Sequence, residues 1–310
     1  NKSALKCLET YLPDQKDLIA AFEEMLKSSD GKISSKVKSQ IKMQFKQHKI
    51  RMSDSYKRTV FAILGSCNEQ SDLTSSFEDY LWMQLYLISK VSTDTTDKLT
   101  LSALQKLILE QYGEKYFKAD EQPQRYFEVL ALTGQFEAAI EFLSRFERFR
   151  THAVHFALAL NELHLIAGPR NVKEPLLSVD VEDPKPLRRL NLTRLVMIYV
   201  EKFEVSDPSE ALQYYYFLRH LTDSEGKNLF LSCVTGLVVE NLNYELIFGR
   251  MQLSGVRSKG LIDQFDAIIN IQSACNAIAD EFVKKGLFED AVKMYDLAEV
   301  SILTKFMQIY

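Results

Sequence analysis

The sequence has few of the residues that build disulfide frameworks, metal centres or membrane spans. Its 310 residues include only four cysteines, which lie far apart and form no C-x-x-C pair. This usage argues against a disulfide framework and a zinc site, and it predicts buried thiols in a reducing compartment. The longest apolar stretches, such as Leu195–Val200, are far below the roughly 18 residues that a membrane-spanning helix needs. No signal peptide is recognisable.

An excess of charge of either sign is also missing. The chain has 38 Lys and Arg against 42 Asp and Glu, a net charge of −4. A dedicated nucleic-acid-binding protein is usually strongly basic, so this balance argues against that class. Apolar residues, by contrast, are plentiful. Hydrophobic residues make up 46% of the sequence and aromatic residues 11%, enough for a sizeable core in one large or two ordinary domains.

Catalytic motifs are missing or incomplete. Gly255–Gly260 has the glycine spacing of a phosphate-binding loop. Leu261 and Ile262 follow it, where such a loop needs Lys and Ser or Thr, so a turn between helices is favoured. Ser35 and Lys38 match the serine–lysine spacing of some hydrolases but lack the companion motifs, which favours a solvated helical face. We therefore expect no catalytic, cofactor-binding or metal-binding residues and no enzymatic activity.

Two further sets of titratable residues are spaced by about one helical turn. His152 and His155, with His164 further along, offer imidazoles on one helix. Metal centres usually supply three or four ligands, so packing or hydrogen bonding at a helix interface is the favoured interpretation. Glu137 and Glu141 are paired carboxylates of the kind that can perform acid–base chemistry. Without a cleft or an unusually apolar setting, we interpret them as part of a solvated face.

The stretch from Lys27 to Arg58 is the most basic part of the chain, with ten Lys or Arg and only two Asp. It is compatible with contact to nucleic acid, an anionic membrane or an acidic partner. An apolar residue also recurs there every four positions, which predicts a packed helix with a solvated lysine face. These residues are Ile33, Val37, Ile41 and Phe45. We favour the packed helix and expect no direct nucleic-acid binding and only indirect membrane contact.

Two short patterns suggest binding functions but have simpler interpretations. The aromatic run Tyr214–Phe217 resembles a stacking platform for bases. Four consecutive helical residues point in all directions around the axis, so burial between neighbouring helices is favoured. Asn191 begins a glycosylation-type triplet with Leu192 and Thr193, which without secretion indicates at most a helix cap.

Helical periodicity dominates the chain, and no run of alternating residues predicts strands. The predicted helical segments are 33–45, 77–88, 101–112, 126–133, 136–148, 151–166, 190–203, 211–220, 223–240, 244–252 and 261–285. The helix over 77–88 is apolar on most sides, which predicts burial between neighbours. Four of the seven prolines lie between Gly168 and Leu187. This long Pro-rich loop, 168–187, is either a domain boundary or a crossing within one solenoid.

One helix-to-helix turn occurs twice, in Thr133–Ile140 and again in Lys285–Val292. Each has a glycine, one spacer and then Phe-Glu-x-Ala, which predicts stacked helical hairpins that meet closely at the alanine. The two turns are 152 residues apart, which excludes a regular 34-residue array. We expect Phe136 and Phe288 to pack between helices, where removing a fully buried ring would cost about 3–5 kcal/mol.

Longer signatures point to one family. The sequence over Pro186–Leu195 and Glu210–Arg219 closely resembles the nucleoporin-interacting-component family, the large inner-ring scaffold nucleoporin of the nuclear pore complex. Shorter segments agree in the same order, and the match runs from about Ser76 to Ala298. These segments are Glu78–Trp82, Tyr112–Glu114, Tyr126–Leu130, Gln135–Ile140, His152–His155 and Lys285–Glu289.

The resemblance implies an all-α, irregular α-helical solenoid that is partly folded back on itself, of the type shared with vesicle-coat proteins. It implies a structural role at the nuclear envelope, with channel, large scaffold and membrane-associated inner-ring nucleoporins as partners. We expect 1–310 to be a single solenoid and a fragment of a longer chain, since it begins at Asn1 and still has an apolar pattern near its end. No partner-binding residues are carried over. A vesicle-coat or other helical-repeat adaptor is the alternative.

Overall fold

The structure is a computed structural model that describes residues 2–29, 31–48, 52–67, 76–89, 100–253 and 255–298. Internal contacts divide the chain into two compact units, Asn1–Gly134 and Gln135–Tyr310. The Pro-rich loop 168–187 lies inside the second unit rather than at the border. The single solenoid over 1–310 stays a prediction.

The described part of the first unit is helical. Its helices are α1 (Lys2–Tyr11), α2 (Lys16–Lys27), α3 (Ser35–His48), α4 (Ser55–Leu64), α5 (Phe77–Ser89), α6 (Leu101–Lys106), α7 (Gly113–Tyr116) and α8 (Pro123–Leu132). Each of the first three packs on the next along the chain, up to α4. A π-helical segment, Leu107–Tyr112, continues α6, so the predicted helix over 101–112 is present with a wider last turn.

The basic stretch folds as the apolar stripe predicts. On α3, Ile41 and Phe45 are fully buried and Val37 packs at the edge of the same cluster, as does Ile33 just before the helix. The lysines at 36, 42 and 46 are exposed on the other side of the helix. The packed helix with a solvated lysine face is confirmed; Asp30 and residues 49–51 lie outside the described residues.

Helix α5 differs from the expectation that it is covered on most sides. Leu81 and Met83 are buried, but Trp82 between them is 56% exposed and stacks on Tyr86, with ring centroids 5.4 Å apart. The prediction of burial is wrong for this face, because consecutive helical residues point in different directions and only one stripe meets the core.

The second unit is also mainly helical in its described part. Its helices are α9 (Phe136–Ser144), α10 (Glu147–Glu162), α11 (Leu192–Val200), α12 (Pro208–Tyr216), α13 (Leu229–Asn241), α14 (Tyr244–Phe248), α15 (Ile271–Lys284) and α16 (Phe288–Leu297), with a 3-10 helix at Leu261–Phe265. Two short strands, β1 (Leu177–Ser178) and β2 (Arg189–Leu190), pair antiparallel within and just after the Pro-rich loop.

Two predicted helices of this unit start later than the sequence suggests. The segment 223–240 becomes helical only at Leu229, because the Asp223 carboxylate accepts the backbone N–H groups of Glu225 and Lys227 and holds a turn. The segment 261–285 is interrupted after the 3-10 helix. Asn270 then caps α15 by accepting the N–H of Ser273 at 2.9 Å. In both places a local side-chain hydrogen bond competes with the helix.

The repeated turn has the expected backbone but not the expected aromatic packing. Gly134 and Gly286 have φ of +73° and +77°, a conformation that ends a helix and suits glycine. The alanines after them, Ala139 and Ala291, are buried as predicted. Phe288 is 58% exposed and Phe136 is only partly buried, so the expected burial of the rings is wrong. Each ring stands at the first residue of its helix, next to the turn that joins the two helices of the hairpin.

The alanine should therefore control this hairpin. Replacing Ala291 with Leu is expected to destabilise the second unit by about 1–3 kcal/mol, because a larger side chain does not fit between α15 and α16. Urea unfolding measures the change. Ala277→Leu, on the exposed side of α15, is the matched control and should change stability by less than about 0.5 kcal/mol. Equal effects of the two substitutions would contradict the close crossing.

Candidate docking surfaces

The described residues contain no group of three or more His, Cys, Asp or Glu side chains arranged to hold a metal ion. Within the same residues, none of the helices combines the length and apolar character needed to cross a bilayer. The candidate functional sites of the described residues are surfaces and the contacts that shape them.

The glycine-spaced segment 255–260 is a turn, as the sequence favours. Backbone bonds join Met251 to Arg257 as a short bridge. The Arg257 guanidinium donates to the Phe248 carbonyl oxygen at 2.5 Å and to Asp263 at 3.1 Å. An arginine that is satisfied in this way fixes the turn and leaves no phosphate cradle.

The cysteines are less uniformly buried than the sequence predicts. Cys67 and Cys275 are buried, Cys233 is partly buried, and Cys7 is exposed, so the prediction of buried thiols is wrong for Cys7. Burial raises the pKa of Cys233 and of Cys275 to about 12. These two thiols therefore stay protonated at neutral pH, whereas a cysteine acts as a nucleophile only in its thiolate form.

The histidines of α10 do not converge. His152 and His155 are exposed, and His164 lies beyond the end of the helix with φ of +56°. His155 Nε2 is 2.8 Å from the Tyr214 hydroxyl, and the two rings stack with centroids 5.8 Å apart. Hydrogen bonding at a helix interface, the favoured interpretation, is confirmed for His155.

The aromatic run after residue 213 points in several directions, as expected for a helix. Tyr214 faces His155, Tyr215 donates to the Glu204 carboxylate, and Tyr216 stacks on Phe265 with centroids 5.4 Å apart. Burial is the main cause that raises the pKa of Tyr215, and its bond to Glu204 adds to it. The run therefore joins three neighbouring parts of the unit and forms no platform.

Glu137 corrects the prediction of a solvated carboxylate pair. Its side chain is buried, and its Oε1 accepts the backbone N–H of Ala167 at 2.7 Å. Burial raises the pKa of this carboxyl, although the bond from Ala167 opposes the shift. Glu141 is partly exposed and binds Arg145 at 2.8 Å. The two carboxylates thus have different environments, and Glu137 ties α9 to the start of the Pro-rich loop.

The Pro-rich loop is held by side chains that follow it in sequence. Asn191, fully buried, donates from Nδ2 to the carbonyl oxygens of Val172 at 2.8 Å and Glu174 at 2.9 Å. Its Oδ1 accepts the N–H of Arg194 at 3.0 Å and so caps α11, which confirms the cap. Arg189 binds Asp183 at 2.7 Å. The loop is therefore attached to the helical stack rather than extended from it.

A groove lies between α10 and α12, and the sequence gives no direct sign of it. It encloses about 390 Å³ and is open to solvent. Each helix contributes residues at the spacing i, i+3, i+4 and i+7. The lining residues are His155, Leu158, Ala159 and Glu162 from α10 and Glu210, Gln213, Tyr214 and Phe217 from α12 and the residue after it. We call it the α10–α12 groove.

Comparison with known proteins identifies the family. A model of the Nup93/Nic96 family matches residues 2–304. The chain belongs to the Nup93/Nic96 family. Among relatives of this Nup93/Nic96 chain, the nuclear pore complex protein Nup93 of Danio rerio is 42% identical over 284 residues, which cover 90% of this chain and 34% of the relative. Nuclear pore complex protein Nup93-1 of Drosophila melanogaster is 43% identical over 271 residues, which cover 84% of this chain and 33% of the relative.

More distant members agree. Nucleoporin NIC96 of Saccharomyces cerevisiae is 24% identical over 319 residues, covering 96% of this chain and 35% of the relative. The crystal structure of Chaetomium thermophilum Nic96 SOL matches with a TM-score of 0.77 at 20% identity, over 96% of this chain and 46% of that one. The all-α, irregular solenoid class predicted from the sequence is confirmed. The chain spans about a third of the length of the curated relatives it matches.

The buried Glu137 gives this Nup93/Nic96 chain a testable pH dependence. Its pKa is higher in the folded chain than in the unfolded chain, so folding favours the protonated carboxyl. Its contribution to stability is therefore greatest at low pH and is lost as the pH rises through the folded pKa. Relative to Glu137→Gln, the wild type should gain stability between neutral pH and a pH close to the ordinary pKa of a glutamate carboxyl.

Urea unfolding of both proteins at the two pH values measures this difference. Glu141→Gln, on the same helix, corrects for the general effect of removing a carboxylate. A wild-type advantage over Glu137→Gln that stays constant or shrinks as the pH falls would contradict the role of burial.

Proposed function

We propose that this chain is a structural part of the nuclear pore complex, in a scaffold nucleoporin of the inner ring at the nuclear envelope. There it docks other nucleoporins and so supports pore assembly and the transport of protein and mRNA between nucleus and cytoplasm. The observation that carries the proposal is the Nup93/Nic96 family match over residues 2–304.

The described structure is consistent with a role that is geometric rather than chemical. Its polar side chains are used to fix turns and helix ends, as Arg257 and Asn191 illustrate. Its helices pack in sequence along much of each unit, and stacked helices of this kind offer long surfaces for other proteins. That the chain has a structural role and no enzymatic activity is part of this proposal.

The proposed partners are other nucleoporins, namely channel, large scaffold and membrane-associated inner-ring nucleoporins. No small-molecule substrate, cofactor or nucleic acid is part of this role, and membrane contact is indirect. The vesicle-coat alternative uses a similar architecture, but the family match favours the pore.

Endogenous tagging of the protein that contains this chain tests the proposal. We expect a fluorescent tag to give a punctate nuclear rim, and affinity purification with quantitative mass spectrometry to enrich nucleoporins. A matched tag on a vesicle-coat subunit is the control. Cytoplasmic vesicular staining, with enrichment of coat subunits and no nucleoporins, would support the alternative and refute the pore assignment.

A further inference from the structure

We propose that the α10–α12 groove binds one helix of a partner protein, a segment with an apolar face and a Lys or Arg at one end of that face. The inference rests on the docking role proposed above for the kind of protein that supplies the helix, whereas the binding of a helix by the groove does not depend on that role.

The two walls of the groove run in the same direction. His155 on α10 stands beside Tyr214 on α12. Further along, Glu162 at the end of α10 binds Arg219, which lies just beyond the end of α12, at 3.1 Å. Residue numbers therefore increase together along the two walls. Both helices also pack on α11. The result is a trough with two parallel helical walls.

Contacts between the two walls of the groove fix the distance between them. The hydrogen bond between His155 and Tyr214 joins the two walls, and the ion pair between Glu162 and Arg219 joins them at one end. The Arg219 guanidinium also lies 4.3 Å from the centre of the Tyr216 ring. Because these contacts fix the spacing of the walls, an occupant would meet a preformed site and lose less free energy on ordering it.

The surface of the groove suits an apolar helix. Leu158 and Tyr214 lie at the floor with little exposure, and Phe217 is partly exposed. Ala159 is exposed and small, so another backbone can approach α10 closely at that point. The lining spans eight residues along each wall, a rise of about 10 Å or two helical turns. Apolar anchors at i, i+3, i+4 and i+7 would fill this length, the usual pattern of helix-in-groove binding.

The charges indicate where the occupant carries a basic residue. Glu162 is neutralised by Arg219 at one end of the groove. Glu210 lies at the other end, one turn before Tyr214, and no cation pairs with it among the residues that the structure describes. The lining contains no Lys or Arg. A partner with a basic residue about one turn beyond its first or last apolar anchor would complete the site.

A synthetic peptide of about 18 residues provides the probe. It carries leucines at i, i+3, i+4 and i+7 and one arginine a turn before them, with Ala and Gln elsewhere; a second version replaces the arginine with Glu. Fluorescence anisotropy with the chain should show saturable binding, and the arginine version should bind at least about tenfold more tightly than the Glu version.

Three protein variants sharpen this test. Ala159→Trp fills the groove and should weaken binding by about tenfold or more. Ala277→Trp, on the exposed side of α15, should leave it within about twofold and controls for the bulky substitution. Glu210→Lys should reverse the preference, so that the Glu peptide binds more tightly than the Arg peptide.

Several outcomes would overturn the inference. These are no saturable binding of the arginine peptide up to about millimolar concentration, equal binding by Ala159→Trp and wild type, or a peptide preference that Glu210→Lys leaves unchanged. Self-association of the chain that Ala159→Trp abolishes would assign the groove to a second copy instead. A negative peptide assay would not affect the expected nuclear rim localisation, and a negative localisation result would not affect peptide binding. The two proposals can therefore fail separately.

Discussion

Replacing Phe282 with Ala is expected to destabilise the second unit by about 3–5 kcal/mol. Phe282 is fully buried on α15 and meets the edge of the Tyr244 ring, with centroids 6.1 Å apart. Helix α15 packs on both α13 and α16. Removing the fully buried ring therefore leaves a cavity in a helix that packs on two others, and the loss of stability combines transfer and cavity terms.

Phe288→Ala is the matched control, because it makes the same chemical change in the same hairpin. Its ring is 58% exposed, so the expected cost is below about 1 kcal/mol. Urea unfolding gives the two free energies, and hydrogen exchange at the amides of α15 and α16 locates the change. The substitution at Phe282 should speed exchange in both helices, whereas the one at Phe288 should affect mainly the first turn of α16.

Similar costs for the two phenylalanines would contradict the burial pattern of this hairpin. They would instead restore the expectation from the sequence, in which the Phe of the repeated turn is the main packing residue.

The repeated turn shows what local sequence can and cannot predict. Glycine and the following Phe-Glu-x-Ala gave the helix end, the helix start and the buried alanine, since all three depend on residues within one or two turns. The exposure of Phe288 depends on which surfaces reach the end of the hairpin, and Phe282 precedes the motif. No local pattern could rank these two rings.

The same limit explains the groove and the errors at helix starts. Asn228 and Asn270 cap helices that the apolar periodicity would begin several residues earlier. Apolar periodicity shows which face of a helix is apolar. It does not show where a local side-chain hydrogen bond competes with the helix and delays its start. The α10–α12 groove needs the relative placement of two helices about 60 residues apart in sequence, which apolar spacing within each helix does not contain.

Glu137 and Asn191 illustrate the limit for polar residues. The sequence places Glu137 in a first helical turn, where a solvated carboxylate is the usual case. Its acceptor role toward Ala167 comes from the path of a loop 30 residues away. For Asn191 the helix cap is local and was predicted, whereas its bonds to residues 172 and 174 are not local.

Replacing Asn191 with Ala is expected to cost about 2–4 kcal/mol. The N-cap bond contributes about 1 kcal/mol. The remainder comes from the carbonyl oxygens of Val172 and Glu174, each of which loses its hydrogen bond from the buried Asn191 amide. Because one side chain serves the helix and the loop together, hydrogen exchange should rise both in the first turn of α11 and across residues 171–178.

Two further variants separate the cap from the attachment of the loop. Asn191→Ser keeps a capping oxygen but has no amide to reach the loop, so its stability should fall between wild type and Asn191→Ala, with exchange raised mainly in the loop. Asn270→Ala removes a single cap bond at an exposed position on α15 and should cost about 1 kcal/mol. If Asn191→Ala costs no more than Asn270→Ala, its bonds to the loop do not stabilise the fold. The Pro-rich loop would then be held by Glu137, Arg189 and the β1–β2 pair without it.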